Sequence, residues 1–263
     1  MARVIAICNQ KGGVGKSTTA VNIAAYLALA GLRTLLIDLD PQGNATTACG
    51  VQKNQVQQDT YDVLIEHASW QSAIHKTSIE HFEAVPSTMN LAGAEPRLVN
   101  LEQREHVLKN RLSELEGQFT FILLDCPPSL GLLTINALVA ADSTIIPVQC
   151  EYLALEGLSS LLQAINLIKQ NLNPDLRVGG ILLTMTDFRA NLSREVADEV
   201  KNFFKDQVFE TTIPRNIRLA ESPSYGKPIC LYDPHSTGAL AYHLLTKEVM
   251  LKEGALVNDQ AAR

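Results

Sequence analysis

Residues 3–8, Arg-Val-Ile-Ala-Ile-Cys, are a nearly unbroken apolar run rich in β-branched side chains that stops at a cluster of glycines. A run of that length and composition predicts a strand buried on both faces. After the glycines, apolar residues recur at helical spacing over 17–30, which predicts a helix. The alternation then repeats. Strands are predicted over 34–37, 119–124, 143–149, 178–185 and 208–213, and helices over 129–139, 155–170, 192–205 and 236–251. A charged amphipathic stretch over 96–115 reads as one further helix. Between 51 and 83 the pattern weakens: a Gln-rich stretch, QKNQVQQD, reads as a surface loop, followed by short helical pieces around Val63 and Trp70.

Apolar strands alternating with helices predict an α/β fold of three layers, a mostly parallel twisted sheet flanked by helices on both faces. With 263 residues, 46% of them hydrophobic, and no repeat or low-complexity linker, one domain spanning 1–263 is expected. Its ordered core should cover about 3–251, with 254–263 as a mobile tail. The balance of 22 Lys+Arg against 28 Asp+Glu, a formal charge of −6, argues against a chain that coats nucleic acid with its whole surface, and leaves room for a local basic patch. Cys8, Cys49, Cys126, Cys150 and Cys230 are scattered without a C-x-x-C pair, so buried reduced thiols are expected. The start, MARVIAICNQ, has no signal-peptide pattern, and no apolar run reaches the roughly 18 residues of a membrane span. A soluble, cytoplasmic chain is expected.

The glycine cluster carries the first chemistry. Gln10 to Thr18 reads QKGGVGKST, close to the phosphate-binding pattern G-x-x-x-x-G-K-[ST] except that Gln10 stands where the first glycine belongs. Backbone N–H groups of a loop containing Gly12, Gly13, Val14 and Gly15 can converge on phosphate, and the helix that follows adds its positive end. Lys16 would meet the β- and γ-phosphates, Ser17 would place a hydroxyl on Mg²⁺, and Thr18 would lie near the α-phosphate. A structural turn beside a solvated lysine is the alternative, made less attractive by the order strand, loop, helix.

Such a site also needs a carboxylate at the end of a neighbouring apolar strand to hold the metal's water shell. FILLD, ending in Asp125, supplies it, and Asp38 and Asp40 in DLDPQGNAT offer two more. Any one of them could be a turn cap. Asp40, beside proline and glycine, is the best placed to orient an attacking water. Lys11 is a second cation close to the same phosphates.

Taken together, KGGVGKST, DLDPQGNAT, ILLDCPPSLG, PVQCEYLALEGL and IPRNIRLAESPSYGKPI resemble the ParA/Soj family of DNA-segregation ATPases, P-loop NTPases with a deviant Walker A motif, over about 3–251. The resemblance implies binding of ATP and Mg²⁺, hydrolysis of ATP, and a homodimer in the ATP state. Lys11 resembles the signature lysine that reaches the phosphates of the opposite subunit, although a contact within one chain is the other reading. By the same resemblance Lys11, Lys16 and Asp40 carry catalysis, Asp125 holds Mg²⁺ through water, and Pro214 and Asn216 lie against the base or ribose. Arg189 and Arg218 match positions that contact non-specific double-stranded DNA, with Arg194, Lys201 and Lys227 as weaker candidates. A ParB-type centromere-binding partner, chromosome or plasmid segregation and a nucleoid location are implied as well. A MinD-like membrane-associated ATPase shares the nucleotide motifs but needs a basic amphipathic C-terminal helix. The ending KEVMLKEGALVNDQAAR has little basic face, so no membrane contact is expected. An iron–sulfur carrier would need paired thiolates, which the scattered cysteines do not supply, and against the third rival, a metabolic P-loop ligase, the SPSYGKP segment and the lack of a substrate-pocket motif favour the ParA resemblance.

Overall fold

The structure is a computed structural model that describes residues 2–151, 154–187 and 189–255; part of the tail expected over 254–263 therefore lies outside the described residues. In chain order the strands are β1 (Arg3–Ile7), β2 (Thr34–Asp38), β3 (His75–Lys76), β4 (Phe82–Val85), β5 (Phe121–Asp125), β6 (Ser143–Gln149) and β7 (Arg177–Thr184). They form one sheet in the order β3-β4-β2-β5-β1-β6-β7. Every pairing is parallel except β3 with β4. The longer helices are α1 (Lys16–Leu29), α7 (Leu132–Ala140), α8 (Ala154–Asn171), α9 (Asn191–Phe204) and α12 (Thr237–Lys252). Shorter ones are α2 (Asn44–Ala48), α3 (Thr60–Ile65), α4 (Trp70–Ala73), α5 (Ala94–Leu98), α6 (Val107–Leu112), α10 (Ile217–Glu221) and α11 (Ile229–Tyr232).

Strand periodicity divides the core in two. Ala6 and Cys8 point to one face, packing with Leu35, Ile37, Leu124 and the apolar sides of α7 and α8. Ile5 and Ile7 point to the other, against α1 and α12. β2 and β5 are buried at every position, which is why their sequences read as continuous apolar runs. The predicted three-layer α/β fold is therefore present.

Three expectations are corrected. The helix expected over 96–115 is broken into α5 and α6, with Gln103 at φ 52° between them. The buried Asn136 of α7 holds the break: its Oδ1 accepts from the Leu108 N–H at 3.1 Å and its Nδ2 donates to the Arg104 carbonyl at 2.8 Å. The strand expected over 208–213 is reduced to isolated bridges, Ile181 with Val208 and Thr186 with Pro214. Between them the chain leaves the sheet, and the Glu210 and Thr211 N–H groups donate to the Glu248 carboxylate of α12 at 3.0 and 3.2 Å. Finally, β3 and β4 extend the sheet at the end of the weakly patterned 51–83, where a surface loop and short helical pieces were expected.

Register places the chemistry. Ile7 pairs with Asp125 on one side of β5, and Asp38 pairs with Asp125 on the other. The glycine loop and the two strand-end carboxylates thus sit together at the carboxyl end of the central strands, where open α/β sheets bind ligands.

Candidate nucleotide site

The loop between β1 and α1 is tied down from several directions. Asn9 Nδ2 donates to the Pro147 carbonyl beyond the mid-point of β6 at 2.7 Å, and Asn9 Oδ1 accepts from the Lys11 N–H at 3.0 Å. The Thr184 hydroxyl at the end of β7 donates to the Val14 carbonyl at 2.9 Å. Gly13 and Gly15 stand at φ 75° and 88°, a left-handed conformation that a side chain would oppose. Gly15 is the N-cap of α1, so the helix's first free N–H groups open onto the loop.

A cavity of about 590 Å³ lies there, lined by Gly12, Gly13, Gly15, Lys16, Ser17 and Thr18 from the loop and α1, and by Asp40 from the loop after β2. Lys16 is nearly buried, and its Nζ donates to the Lys11 carbonyl at 3.0 Å. Burial pulls its pKa down, while the charges of Asp125 and Asp40 oppose that shift. Asp40 accepts from the Gln42 N–H at 3.0 Å within a turn closed by Gly43 N–H on the Asp40 carbonyl at 2.8 Å.

Asp38 and Asp125 are both buried but differ in their partners. Asp38 accepts from the Asp40 N–H at 3.1 Å, the Thr46 N–H at 2.8 Å and the Thr46 hydroxyl at 2.7 Å. Burial still pushes its pKa up to about 6 against these donors. Both oxygens of Asp125 lack a hydrogen-bond partner. Burial, then the charge of Asp38, push its pKa well above the carboxylate range; the Ser17 hydroxyl favours the charged form without the geometry of a hydrogen bond. A buried carboxylate without partners is costly, and a metal-bound water donating to it would remove that cost. Among the described residues no group of three or more His, Cys, Asp or Glu could hold a metal by itself. The donor set therefore fits a Mg²⁺ carried by phosphates, with the Ser17 hydroxyl on the ion and Asp125 reached through water.

The other sequence-predicted residues lie elsewhere. The Lys11 ammonium pairs with Glu151 Oε2 at 2.5 Å. Pro214 and Arg189 line a second cavity of about 660 Å³ with Thr186, Arg215, Thr237 and Leu244. Asn216 caps α10, accepting from the Arg218 and Leu219 N–H groups, and its Nδ2 donates to the Thr237 hydroxyl at 2.9 Å. Arg189 is forked onto the Asp187 carboxylate at 2.9 and 3.0 Å. Arg218 lies 3.0 Å from Glu221 and 3.4 Å from Asp233. Met185, Pro223 and Ser224 line the phosphate-loop cavity without having been singled out in the sequence. Met185 has φ 51°, a rare conformation for a non-glycine residue that often marks a site, and nothing local in the sequence signals it.

The family model described as an AAA domain matches residues 2–178. The sporulation initiation inhibitor protein Soj of Bacillus subtilis is 55% identical over 95% of this chain and 98% of its own length. The chromosome partitioning protein ParA of Myxococcus xanthus is 52% identical over 96% and 89%. A crystal structure of cobyrinic acid a,c-diamide synthase from Mycobacterium smegmatis with bound ADP and magnesium superposes with a TM-score of 0.84, at 37% identity over 97% of each chain. That name is a synthase's, but the partition proteins are the more similar in sequence over nearly the same span. Among the described residues no helix is long and apolar enough to cross a membrane. A glycine loop opening onto buried lysine and paired strand-end aspartates, in a chain more than half identical to Soj along nearly its whole length, makes this protein a member of the ParA/Soj family of chromosome-partitioning ATPases.

Proposed function

We propose that the chain binds ATP with Mg²⁺ in the phosphate-loop cavity, closes as a homodimer, and in that state binds double-stranded DNA without sequence preference. Hydrolysis, stimulated by a ParB-type partner and DNA, reopens the dimer and so drives segregation of a chromosome or plasmid. The observation that carries the nucleotide part of this reading is the buried Asp125 carboxyl, without a hydrogen-bond partner, beside Lys16 and Ser17, to which a water of a bound metal could donate.

Each residue has a task in this account. Backbone N–H groups of Gly12 to Gly15 and the start of α1 bind phosphate, and Lys16 neutralises the β- and γ-oxygens. Mg²⁺, when bound, spreads the charge that develops between those phosphates. Asp40 orients the attacking water from its turn beside Lys16. Lys11 reaches the phosphates of the opposite chain's nucleotide, so its charge is useful only after closure, and dimer state follows nucleotide state. Pro214 and Asn216 face the base or ribose, and Arg189 and Arg218 face DNA phosphates. The reading of Lys11 is supported by its ammonium lying outside the set of groups that line the cavity of its own chain.

Removing the Lys16 ammonium deletes charge-assisted hydrogen bonds, each about 1.5–3 kcal/mol. Lys16→Ala should therefore bind ATP with Mg²⁺ about 10- to 100-fold more weakly in a calorimetric titration, and fail to dimerise. ATP affinity equal to that of the parent chain would overturn the cradle assignment.

A further inference from the structure

The segment Pro147 to Leu158 is distinctive in the sequence, yet the nucleotide chemistry above uses none of its side chains. In the structure its Glu151 has a definite partner. Glu151 Oε2 lies 2.5 Å from Lys11 Nζ, the two side chains are equally half-exposed, and both lie far apart in sequence. A second bond runs alongside: Asn9 Nδ2 donates to the Pro147 carbonyl at 2.7 Å, while Asn9 Oδ1 accepts from the Lys11 N–H. The turn after β6 is thus joined to the entrance of the phosphate loop through Asn9 and Lys11 together.

The pairing also sorts the two cations of the loop. The Lys16 ammonium is held by the Lys11 carbonyl at 3.0 Å, and the Lys11 ammonium is held by Glu151. One residue therefore anchors Lys16 through its backbone while its own side-chain charge is directed outward, away from Lys16.

From this we infer that Glu151 is the positioning residue for Lys11. It holds the ammonium in an outward pose in the resting chain and releases it to the phosphates of a second chain's nucleotide. The exchange is balanced: one ion pair is broken, one stronger charge-assisted contact forms, and the half-exposed Glu151 carboxylate is rehydrated at little cost. Exposed pairs of this kind contribute only weakly, so Glu151 adjusts the protein concentration at which dimers form without being able to prevent them. The inference rests on the proposed reach of Lys11 across the dimer.

The test measures dimerisation of the full chain by sedimentation with Mg²⁺ and a non-hydrolysable ATP analogue, at low and high salt. The variants are Glu151→Gln, Glu151→Asp, Lys11→Ala and Lys11→Ala with Glu151→Gln. Glu151→Gln should half-dimerise at a protein concentration about two- to fivefold below that of the parent chain. The gain should shrink in high salt, because an exposed pair is screened. Glu151→Asp, which restores the charge on a shorter arm, should fall between the two. In the Lys11→Ala background the Glu151 change should have no effect, the signature of a direct coupling between the two side chains. Dimerisation of Glu151→Gln unchanged from the parent, or shifted equally with and without Lys11, overturns the inference. Normal dimerisation of Lys11→Ala itself would instead overturn the reading of Lys11 on which it rests. Thermal unfolding of Glu151→Gln at the parent temperature excludes a folding defect, and if that variant is unstable the Glu151→Asp comparison decides.

Discussion

Asp38, Asp40 and Asp125 lie within one small volume and differ chiefly in how many donors reach them. Asp38 has three, Asp40 one and Asp125 none. In the proposed account these differences suit Asp38 to bracing the loop, Asp40 to orienting water and Asp125 to a contact through metal-bound water. Asp38 also has a pH signature. Its folded pKa of about 6 is raised by burial above the ordinary carboxylate value. The stability that the neutral form contributes is thus fully present below pH about 4 and lost as pH rises through about 6. In urea titrations of the nucleotide-free chain, the stability of Asp38→Asn relative to the parent should therefore rise between pH 4 and 7. A constant difference across that window would show that Asp38 titrates as an ordinary carboxylate. At this scale the sequence was most legible where chemistry demands one residue type, as at Lys16 and Asp125. Glu151, Pro223 and Ser224 lie in stretches that carry the family resemblance but were not singled out individually, and Met185 carried no signal, because their positions at the site arise from contacts between distant segments that no local pattern encodes.

At the scale of elements, the loop from Asp40 to Gly43 joins β2 to α2 and is shaped by Gly43. Its φ of 60° is left-handed, and a Cβ there would meet the Ser87 carbonyl at 2.5 Å and the Lys53 side chain at 2.6 Å. Lys53 can swing aside, but the Ser87 backbone cannot. Gly43→Ala should cost about 2 kcal/mol or more of stability by denaturant titration and lower the ATPase rate by displacing Asp40. A variant as stable and as active as the parent would show that the turn yields without cost. The elements themselves were read well where an apolar run had one interpretation, as in β1, β2, β5 and β6. They were misread where a tertiary contact overrode the local pattern. Asn136 holds open the break between α5 and α6, and Glu248 draws Glu210 and Thr211 off the sheet edge. β3 and β4 are short and lie beside a polar loop, so their four or fewer residues each carried too little periodicity to be seen.

For the whole molecule, the proposed binding of DNA has to be reconciled with a net charge of −6. Arg189 and Arg218 are each paired with carboxylates of their own chain, so these two side chains present little unneutralised positive charge in one copy. In the proposed closed dimer two copies would reinforce one another through effective concentration, and binding to phosphates of arbitrary sequence should be steeply salt-dependent. Replacing both Arg189 and Arg218 by Glu should abolish binding to arbitrary duplex DNA at low salt while leaving ATP-dependent dimerisation intact, as read by gel retardation and sedimentation. Retention of DNA binding with the same salt slope would place the DNA surface elsewhere.

The central claim is that each active site is completed by the Lys11 of the opposite chain, and mixing two inactive variants tests it directly. Lys11→Ala keeps Asp40, and Asp40→Ala keeps Lys11, so each alone should turn over ATP hardly at all. If Lys11 acts across the dimer, a heterodimer contains one site with both groups intact, in the chain that carries Lys11→Ala. ATP turnover of the mixture, measured as phosphate release with an excess of the Lys11→Ala chain, should therefore exceed the sum of the two variants assayed apart. If Lys11 acts within its own chain, neither site of the heterodimer is whole. Turnover equal to that sum, with heterodimers shown to form, would contradict the account.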